Sequence, residues 1–360
     1  MAVTLKEIAD AAKVSRGTVD RVLHGRDGVN EETRKRVLEI IEQMHYNPNV
    51  MARALKTSNK TIKIGVIVRS ENNAFFIDVI QGIQAAARSA ASYGIEVICL
   101  KMESINPQRM IEQIDHLERM GVNGIAMIGV ESMQVCNRIN ALPDSIPVIT
   151  YNSDMTHTKR MCFVGNDHLV AGRTAGCLMH TALRKPGKIA LLISQIEMKA
   201  HLERITGFKQ IFDEDAHSEF DFIGPYMTYE MEEAAYDIVQ ELLNREKDLV
   251  GIYVAGGGQQ SAGRALAQSS RAGEVHMVCH DLLPETIEYV QRGIVDFTIG
   301  QDAFEQGYMP IELFKDYYIL GRKPSMEKLY TRIDIRTREN ITFKGYEVFT
   351  SMYSTRRDSF

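Results

Sequence analysis

The sequence predicts an α/β protein: a three-helix head of helix-turn-helix type and a short hinge, followed by two doubly wound parallel-sheet lobes. Three observations predict it. In the first 45 or so residues, apolar side chains recur at helical spacing in three short blocks. From Ile62 onward, short apolar runs of strand type alternate with amphipathic helical stretches. The 360 residues, 44% apolar and 25% charged, suit two or three globular domains at roughly 100–200 residues each.

The head is legible residue by residue. Thr4 followed by Glu7 forms a capping box, the hydroxyl accepting the Glu7 N–H while the carboxylate reaches back. Leu5, Ile8, Ala9 and Ala12 then share one face. Lys13-Val14 makes a tight turn. Ser15 caps a second helix carrying Val19, Val22 and Leu23, which stops at His24-Gly25. A polar loop, Arg26 to Asn30, leads to a third helix capped by Asn30, with Val37, Leu38, Ile41 and Met44 as its apolar stripe. Tyr46-Asn47-Pro48-Asn49 ends it, because proline disfavours α geometry at the residue before it. Val50 to Lys56 has room for one or two helical turns, and Thr57 to Thr61 is a polar linker. The boundaries fall at 1–48 for the head and 49–61 for hinge and linker.

In the body, strands are predicted at Ile62–Val68, Ile95–Leu100, Gly124–Ile128 and Ile146–Tyr151. The helices between them are Phe76–Ser92, Pro107–Met120 and Met133–Ala141. A second series has strands near Lys188–Ile193, Leu249–Ala255, Val275–Cys279 and Asp296–Ile299. Its helices lie near Leu169–Leu183, Leu202–Phe212, Met231–Arg245, Gln259–Ser270 and Pro284–Arg292. Near-continuous apolar strands covered by helices on both faces mean parallel sheets. One lobe spans 62–165 with about 301–322 returning; the other spans 166–300 with about 325–340 returning. Ligands in such folds sit beyond the carboxyl ends of the strands. Residues 341–360 lack apolar heptads, so they offer no coiled-coil tetramerisation segment.

Composition removes several classes. No stretch approaches the ~18–20 uninterrupted apolar residues of a membrane span. The acidic opening, with Glu7 and Asp10, does not suit a signal peptide. Five scattered cysteines without a CxxC pair fit a reducing cytoplasm. Net charge is −5, yet residues 1–60 hold 11 basic and 8 acidic residues (+3), against 31 and 39 (−8) for the rest. A mildly basic head before an acidic body permits phosphate binding at the amino end.

Particular stretches carry a family resemblance. Thr4-Leu5-Lys6-Glu7-Ile8-Ala9, Val14 through Leu23, Val29-Asn30-Glu31-Glu32-Thr33-Arg34 and Tyr46-Asn47-Pro48-Asn49 resemble the headpiece of LacI/GalR-type transcription regulators. The remainder resembles the periplasmic-binding-protein type I fold, nearest its ribose-binding branch. The matching stretches there are Asn72 to Phe76, Pro147 to Asn152, Asp167 to Gly176, Arg204 to Phe208 and Thr298 to Asp302. The resemblance implies a sequence-specific DNA-binding repressor, a homodimer on a pseudo-palindromic operator. Its affinity for DNA is then governed by a sugar or polyol, phosphorylated sugars included, held between the lobes.

In such motifs the second helix offers its amino-terminal residues to base edges in the major groove. Here those are Ser15, Arg16, Gly17 and Thr18, with Arg21 one turn on. Arginine can grip guanine in two places, worth ~1–3 kcal/mol of discrimination. Ser15 and Thr18 suit phosphates or capping, and Thr4 and Asn30, each at a helix start, are counted with the DNA-binding residues. The plainer alternative for Arg16 is an i,i+4 ion pair with Asp20, worth only ~0.3–0.5 kcal/mol. Asp20 departs from the family's usual serine, and Gly17 weakens its helix by ~1 kcal/mol relative to alanine. Arg53, Leu55 and Lys56 match the family's hinge helix, whose leucine wedges a base step in the minor groove. Alternatively, Leu55 packs on the body. A hinge of six residues is unstable alone in water, so it should order only on DNA.

For the effector, the resemblance carries over to Asn73, Phe75, Phe76, Asn152, Arg204, Asp281 and Gln301. Phenylalanine faces stack on the C–H face of a sugar, while amides, carboxylate and guanidinium bond hydroxyls. Such a site discriminates strongly, because a missing hydroxyl strands a buried polar group. Plainer readings stand beside these: Phe75 and Phe76 as core, Arg204 as a surface charge, Asp281 as a helix cap. The branch has aspartate and arginine where Asn152 and Ser153 stand, and an Asn-Asp pair where Gly256-Gly257-Gly258 runs, which predicts a less charged, roomier pocket. The glycines could cradle phosphate, but lack P-loop and GxGxxG spacing. His276, Cys279 and His280 do not share one strand face, so no metal site is expected. No cofactor and no catalytic motif is indicated. A sugar-binding transport protein and an enzyme on a doubly wound fold are the rival classes; operator-shift assays separate them from a regulator.

Overall fold

The computed structural model describes residues 5–23, 26, 28–43, 61–70, 74–104, 106–196, 198–216, 219–229 and 231–341. Thr4, Asn73, the hinge residues Arg53, Leu55 and Lys56, and the tail beyond Ile341 lie outside them. An amino-terminal unit ends at Thr61 and the body begins at Ile62; each is described by itself.

The described residues of the first unit form three helices: α1 (Leu5–Ala12), α2 (Arg16–Leu23) and α3 (Glu31–Gln43). Ile8, Ala9, Ala12, Val19, Val22 and Val37 form its buried core, with Val14, Val29, Ile40 and Ile41 packed around them. The stripe on α3 therefore runs through 37, 40 and 41, an i, i+3, i+4 set. Leu38 falls about 100° off that line and stays 48% exposed, contrary to its expected place in the core. Lys13 takes a left-handed φ of 52°, and the Val14 N–H reaches the Ala9 carbonyl at 2.9 Å, closing the turn. Two of the three predicted caps form: Ser15 Oγ accepts from the Thr18 N–H at 3.1 Å and Asn30 Oδ1 from the Thr33 N–H at 2.7 Å; the third, at Thr4, lies outside the described residues.

The body holds two six-stranded sheets. The first contains β1 (Ile62–Arg69), β2 (Ile95–Met102), β3 (Gly124–Ile128), β4 (Val148–Tyr151), β5 (Cys162–Gly165) and β11 (Lys328–Tyr330), in the order β11-β5-β4-β3-β1-β2. The second contains β6 (Gly187–Ile193), β7 (Phe220–Met227), β8 (Leu249–Val254), β9 (His276–His280), β10 (Phe297–Gly300) and β12 (Asp334–Arg336), in the order β12-β10-β9-β8-β6-β7. Every pairing is parallel except β10 with β12. Helices α4 (Phe75–Ala91), α5 (Pro107–Arg119) and α6 (Met133–Asn140) precede the first crossing. Then come α7 (His168–Ala182), α8 (Lys199–Asp213), α9 (Glu232–Arg245), α10 (Gln259–Ala267), α11 (Pro284–Gln291) and α12 (Ala303–Lys315).

β5, β7, β11, β12 and α12 were not among the elements read from the sequence. β5, β11 and β12 are only three or four residues long, too short to show a period. β7 is an edge strand interrupted by Gly224-Pro225, a pair that argues against a strand unless the edge is free of ladder duty. One boundary moves as a result. β11 pairs with β5 in the first sheet, so the final crossing into the second lobe falls at 331–333 rather than near 325.

Glycines set the helix spacing in both lobes. A Cβ on Gly82 of α4 would sit 2.1 Å from the Phe304 carbonyl oxygen, and one on Gly307 of α12 would sit 2.0 Å from that of Val79. The second lobe repeats the device: a Cβ on Gly172 of α7 would meet the Arg204 carbonyl oxygen at 2.0 Å, and one on Gly207 of α8 that of Leu169 at 2.1 Å. In each pair, backbone meets backbone.

Candidate functional site

The chain passes between the lobes three times, at 166–167, 301–302 and 331–333, and these segments are tied to one another. Asn166 Nδ2 donates to the Arg332 carbonyl at 3.0 Å, the Thr331 N–H donates to the Gly165 carbonyl at 2.8 Å, and Thr331 Oγ1 donates to the Gln301 carbonyl at 2.9 Å. Beside them, beyond the carboxyl ends of both sheets, lies a cavity of about 400 Å³. That is a volume suited to a small ligand.

Its walls come from both lobes. Phe75 and Phe76, at the start of α4, stand edge to face with centroids 5.1 Å apart, and Asn152 follows β4. From the second lobe come Arg204 on α8 and Asp281 after β9, and Gln301 lies at the crossing. Asn152 and Asp281 hold left-handed φ values of 64° and 75°. Non-glycine residues in that region mark backbone held by its surroundings, and such strain gathers at ligand sites.

A hydrogen-bonded chain joins these residues. Arg204 donates through Nη1 to the Ala255 carbonyl at 2.7 Å and through Nη2 to Gln301 Oε1 at 2.9 Å. Gln301 Nε2 donates to Asp281 Oδ1 at 2.6 Å. Gln306, fully buried on α12, donates to the Gln301 carbonyl at 2.8 Å and accepts from Asn152 Nδ2 at 3.0 Å. The run from Asn152 to Arg204 therefore connects the lobes through amides. Arg204 is 2% exposed. Burial pulls its guanidinium below the ordinary value, against the field of Asp281; burial pushes the Asp281 carboxyl up, opposed by Arg204 and by the Gln301 amide. Arg204 is thus no surface charge, and no side-chain cap from Asp281 forms at α11, whose first turn follows Leu283 uncapped.

Sequence reasoning missed two wall histidines and Gln306. His168 Nε2 lies 2.7 Å from the Asn152 carbonyl, and His201 Nδ1 lies 3.1 Å from Ser194 Oγ. Burial, then the charge of Arg204, drives His168 well below the usual imidazole range and His201 down to about 3. His201 also occupies the space that three glycines were expected to open: a Cβ on Gly256 would sit 2.1 Å from its Nε2. Of the β9 pair, His280 bonds the Tyr253 hydroxyl at 2.9 Å and His276 the Asp296 carboxylate at 3.0 Å.

On the first unit, Ser15, Arg16, Gly17 and Arg21 are exposed along α2, with Thr18 half-buried. Ser15 and Thr18 hydroxyls lie 2.9 Å apart. Asp20 pairs with Arg26 at 3.4 Å, and Arg34 donates to the Arg26 carbonyl at 3.0 Å.

Comparison with known proteins accords with both parts. The Periplasmic binding protein domain family matches residues 64–323, and the family of Bacterial regulatory proteins, lacI family, matches residues 4–49. Catabolite control protein A of Staphylococcus epidermidis is 31% identical over 155 residues, 43% of this chain and 45% of that protein. The HTH-type transcriptional regulator RegA of Clostridium acetobutylicum is 42% identical over 84 residues, 23% of this chain and 25% of that one. The aligned stretches thus span less than half of these two curated relatives; catabolite control protein A of Priestia megaterium aligns further, at 28% over 259 residues, 71% of this chain and 74% of its own. An ABC transporter solute binding protein from Burkholderia graminis, solved with D-arabinose, superposes with a TM-score of 0.72 at 22% identity, over 79% of this chain and 98% of that one. At that identity the likeness shows the fold alone. The chain belongs to the periplasmic binding protein domain family, and its residues 4–49 match the model of the bacterial lacI regulatory family.

Proposed function

We propose that the protein is a cytoplasmic, sequence-specific DNA-binding regulator, a repressor whose hold on its operator is set by a sugar-like polyol bound between the lobes. The observation that carries this reading is the pairing, in one chain, of a helix-turn-helix unit with an exposed α2 edge and a two-lobed body with a polar interlobe cavity. In this reading α2 lies in the major groove. Arg16 and Arg21 read bases, while Thr4, Ser15, Thr18 and Asn30 position the phosphates and Gly17 allows close approach. Two copies bind a pseudo-palindrome, and Arg53, Leu55 and Lys56 enter the minor groove between them. Phe75 and Phe76 stack on the ligand, with Asn73, Asn152, Arg204, Asp281 and Gln301 bonding its hydroxyls. The ligand shifts the lobe arrangement only through unequal affinity for the two states.

The test is selection of duplexes from a random library with the full chain. Titration of a selected site against scrambled competitor then follows, with the stoichiometry measured by ultracentrifugation. Preference for one inverted repeat by two copies is expected. Sugar binding without any duplex preference would favour a transport-type protein instead.

A further inference from the structure

α2 carries two residues that its own fold does not require, and both stand on one face. Val19 and Val22 are buried in the core of the first unit. At 3.6 residues per turn, Gly17 points directly away from them, with Asp20 and Arg21 about 50° to either side of it. Arg16 and Thr18 lie at the margins of that face, about 90–110° from its centre. Gly17 and Arg21 are exposed, and the Asp20 side chain is 42% open. A Cβ placed on Gly17 would meet only Ser15 Oγ, in ordinary contact at 3.7 Å. Packing within the described first unit therefore does not call for a glycine, which weakens a helix relative to alanine. What its missing side chain provides is a notch at the centre of the exposed face. Through that notch the helix comes closer to a docked surface, and the next turn, with Asp20 and Arg21, comes within reach.

The second residue is Asp20. A carboxylate on a face that meets phosphates is repelled by them. Arg26 Nη1 lies 3.4 Å from Asp20 Oδ2, and the Arg26 carbonyl is in turn held by Arg34 Nη2 at 3.0 Å. An exposed ion pair of that kind adds little stability; its effect is to steady the carboxylate and offset its charge. A carboxylate has about four acceptor sites on two oxygens, so one guanidinium does not exhaust it. Residues that break a local rule without an internal gain gather at functional sites. In the major groove the cytosine edge offers the N4 amino group as a donor, whereas the adenine edge sets an N7 acceptor beside its donor, where a carboxylate would meet a lone pair.

We propose that Asp20 is a base-reading residue: its carboxylate accepts a hydrogen bond from the N4 amino group of a cytosine, in the same base pair as the guanine that Arg21 grips or in the adjoining one. This rests on the reading of the protein as a sequence-specific regulator with α2 in the major groove. Gly17 sets the depth of docking, Arg21 supplies donors, Asp20 supplies the acceptor, and Arg26 holds the carboxylate in place. The acid lowers affinity for duplexes in general and is compensated only where the amino group stands.

The experiment uses the full chain on a duplex that it selects from a random library. Each position of the selected half-site is replaced by the other three base pairs. Binding is measured for wild type, Asp20→Asn, Asp20→Ala and Arg26→Ala, with circular dichroism to check that each variant folds. In the wild type, replacing one cytosine should weaken binding about fivefold or more. N4-methylcytosine at that position keeps the base pair but sets a methyl group where the donor faces the groove. It should weaken the wild type by a similar factor and leave Asp20→Ala unaffected. Asp20→Asn should move the preference at that position toward adenine, whose N6 and N7 suit a carboxamide. Arg26→Ala should keep the preference for cytosine. Base preferences unchanged in Asp20→Asn and Asp20→Ala, with or without a uniform gain in affinity, overturn the proposal. So does an Arg26→Ala profile identical to that of Asp20→Ala, or an N4-methyl effect of equal size in wild type and Asp20→Ala. A wild-type chain that selects no duplex sinks the regulator reading itself, and this proposal with it.

Discussion

Gln306 offers a test of the interlobe hydrogen-bond chain, because its two halves can be perturbed separately. In Gln306→Leu the Asn152 carboxamide loses its acceptor, whereas the Gln301 carbonyl keeps the Thr331 hydroxyl at 2.9 Å. One stranded buried donor costs about 1–3 kcal/mol. Gln306→Glu keeps the acceptor for Asn152 but sets a carboxylate oxygen where Nε2 now donates, 2.8 Å from the Gln301 carbonyl and 3.4 Å from Gln301 Oε1. An uncompensated buried charge is the larger fault, about 3–5 kcal/mol. Near neutral pH the order of stability should be wild type, then Leu, then Glu. Acceptor neighbours and burial raise the folded pKa of the new carboxyl above its unfolded value. Its penalty is then lifted as pH falls through the folded pKa, when the protonated acid donates to the Gln301 carbonyl. Urea unfolding of wild type and both variants across mildly alkaline to mildly acidic pH measures this, each variant read as a difference from wild type. A Glu variant that matches Leu at every pH would refute the polarity assigned to the chain.

Further predictions follow from the same geometry. His201, whose pKa falls from 6.5 to about 3 on folding, takes up protons in the unfolded chain first, so unfolding free energy should drop as pH falls below about 6.5; His201→Gln should flatten that slope in urea titrations. Gly207→Ala would bring a methyl group within 2.1 Å of the Leu169 carbonyl oxygen; overpacking of that kind costs about 1–3 kcal/mol, seen as a lower urea midpoint. Arg21→Ala should weaken binding to a selected operator by more than about 1 kcal/mol while leaving sugar affinity unchanged. Equal loss on random duplex would reassign Arg21 to phosphate positioning.

Much of this architecture is written locally. The Ser15 and Asn30 caps, the strand-type runs from Ile62 and the amphipathic helices are patterns of a few residues, so they are readable without tertiary knowledge. The family resemblance, rather than any local pattern, supplied Asn152, Asp281 and Gln301, and they lie where ligands of parallel sheets meet the carboxyl ends. What stayed hidden is polar and helical. Gln306, His168 and His201 sit on helices where a polar residue defaults to solvent, and only contacts from other elements turn them inward. Gly307, next to Gln306, was the available sign: a glycine inside a helix points to close approach by another backbone. The contact of Arg26 with Asp20 was likewise hidden, since the loop that returns Arg26 is not encoded in helical spacing. The glycine run after β8 misled because the space a side chain vacates at Gly256 is claimed by an imidazole from another helix.

The seam between α7 and α8 carries a further consequence. The carbonyl against which Gly172 packs belongs to Arg204 itself, so the seat of the guanidinium is fixed by the contact of two main chains. A contact of that kind has no side-chain layer to compress or re-pack. New ligand preferences can therefore evolve by exchanging the groups around the arginine, while the arginine's own perch, riveted at Gly172 and Gly207, is closed to drift by single substitutions.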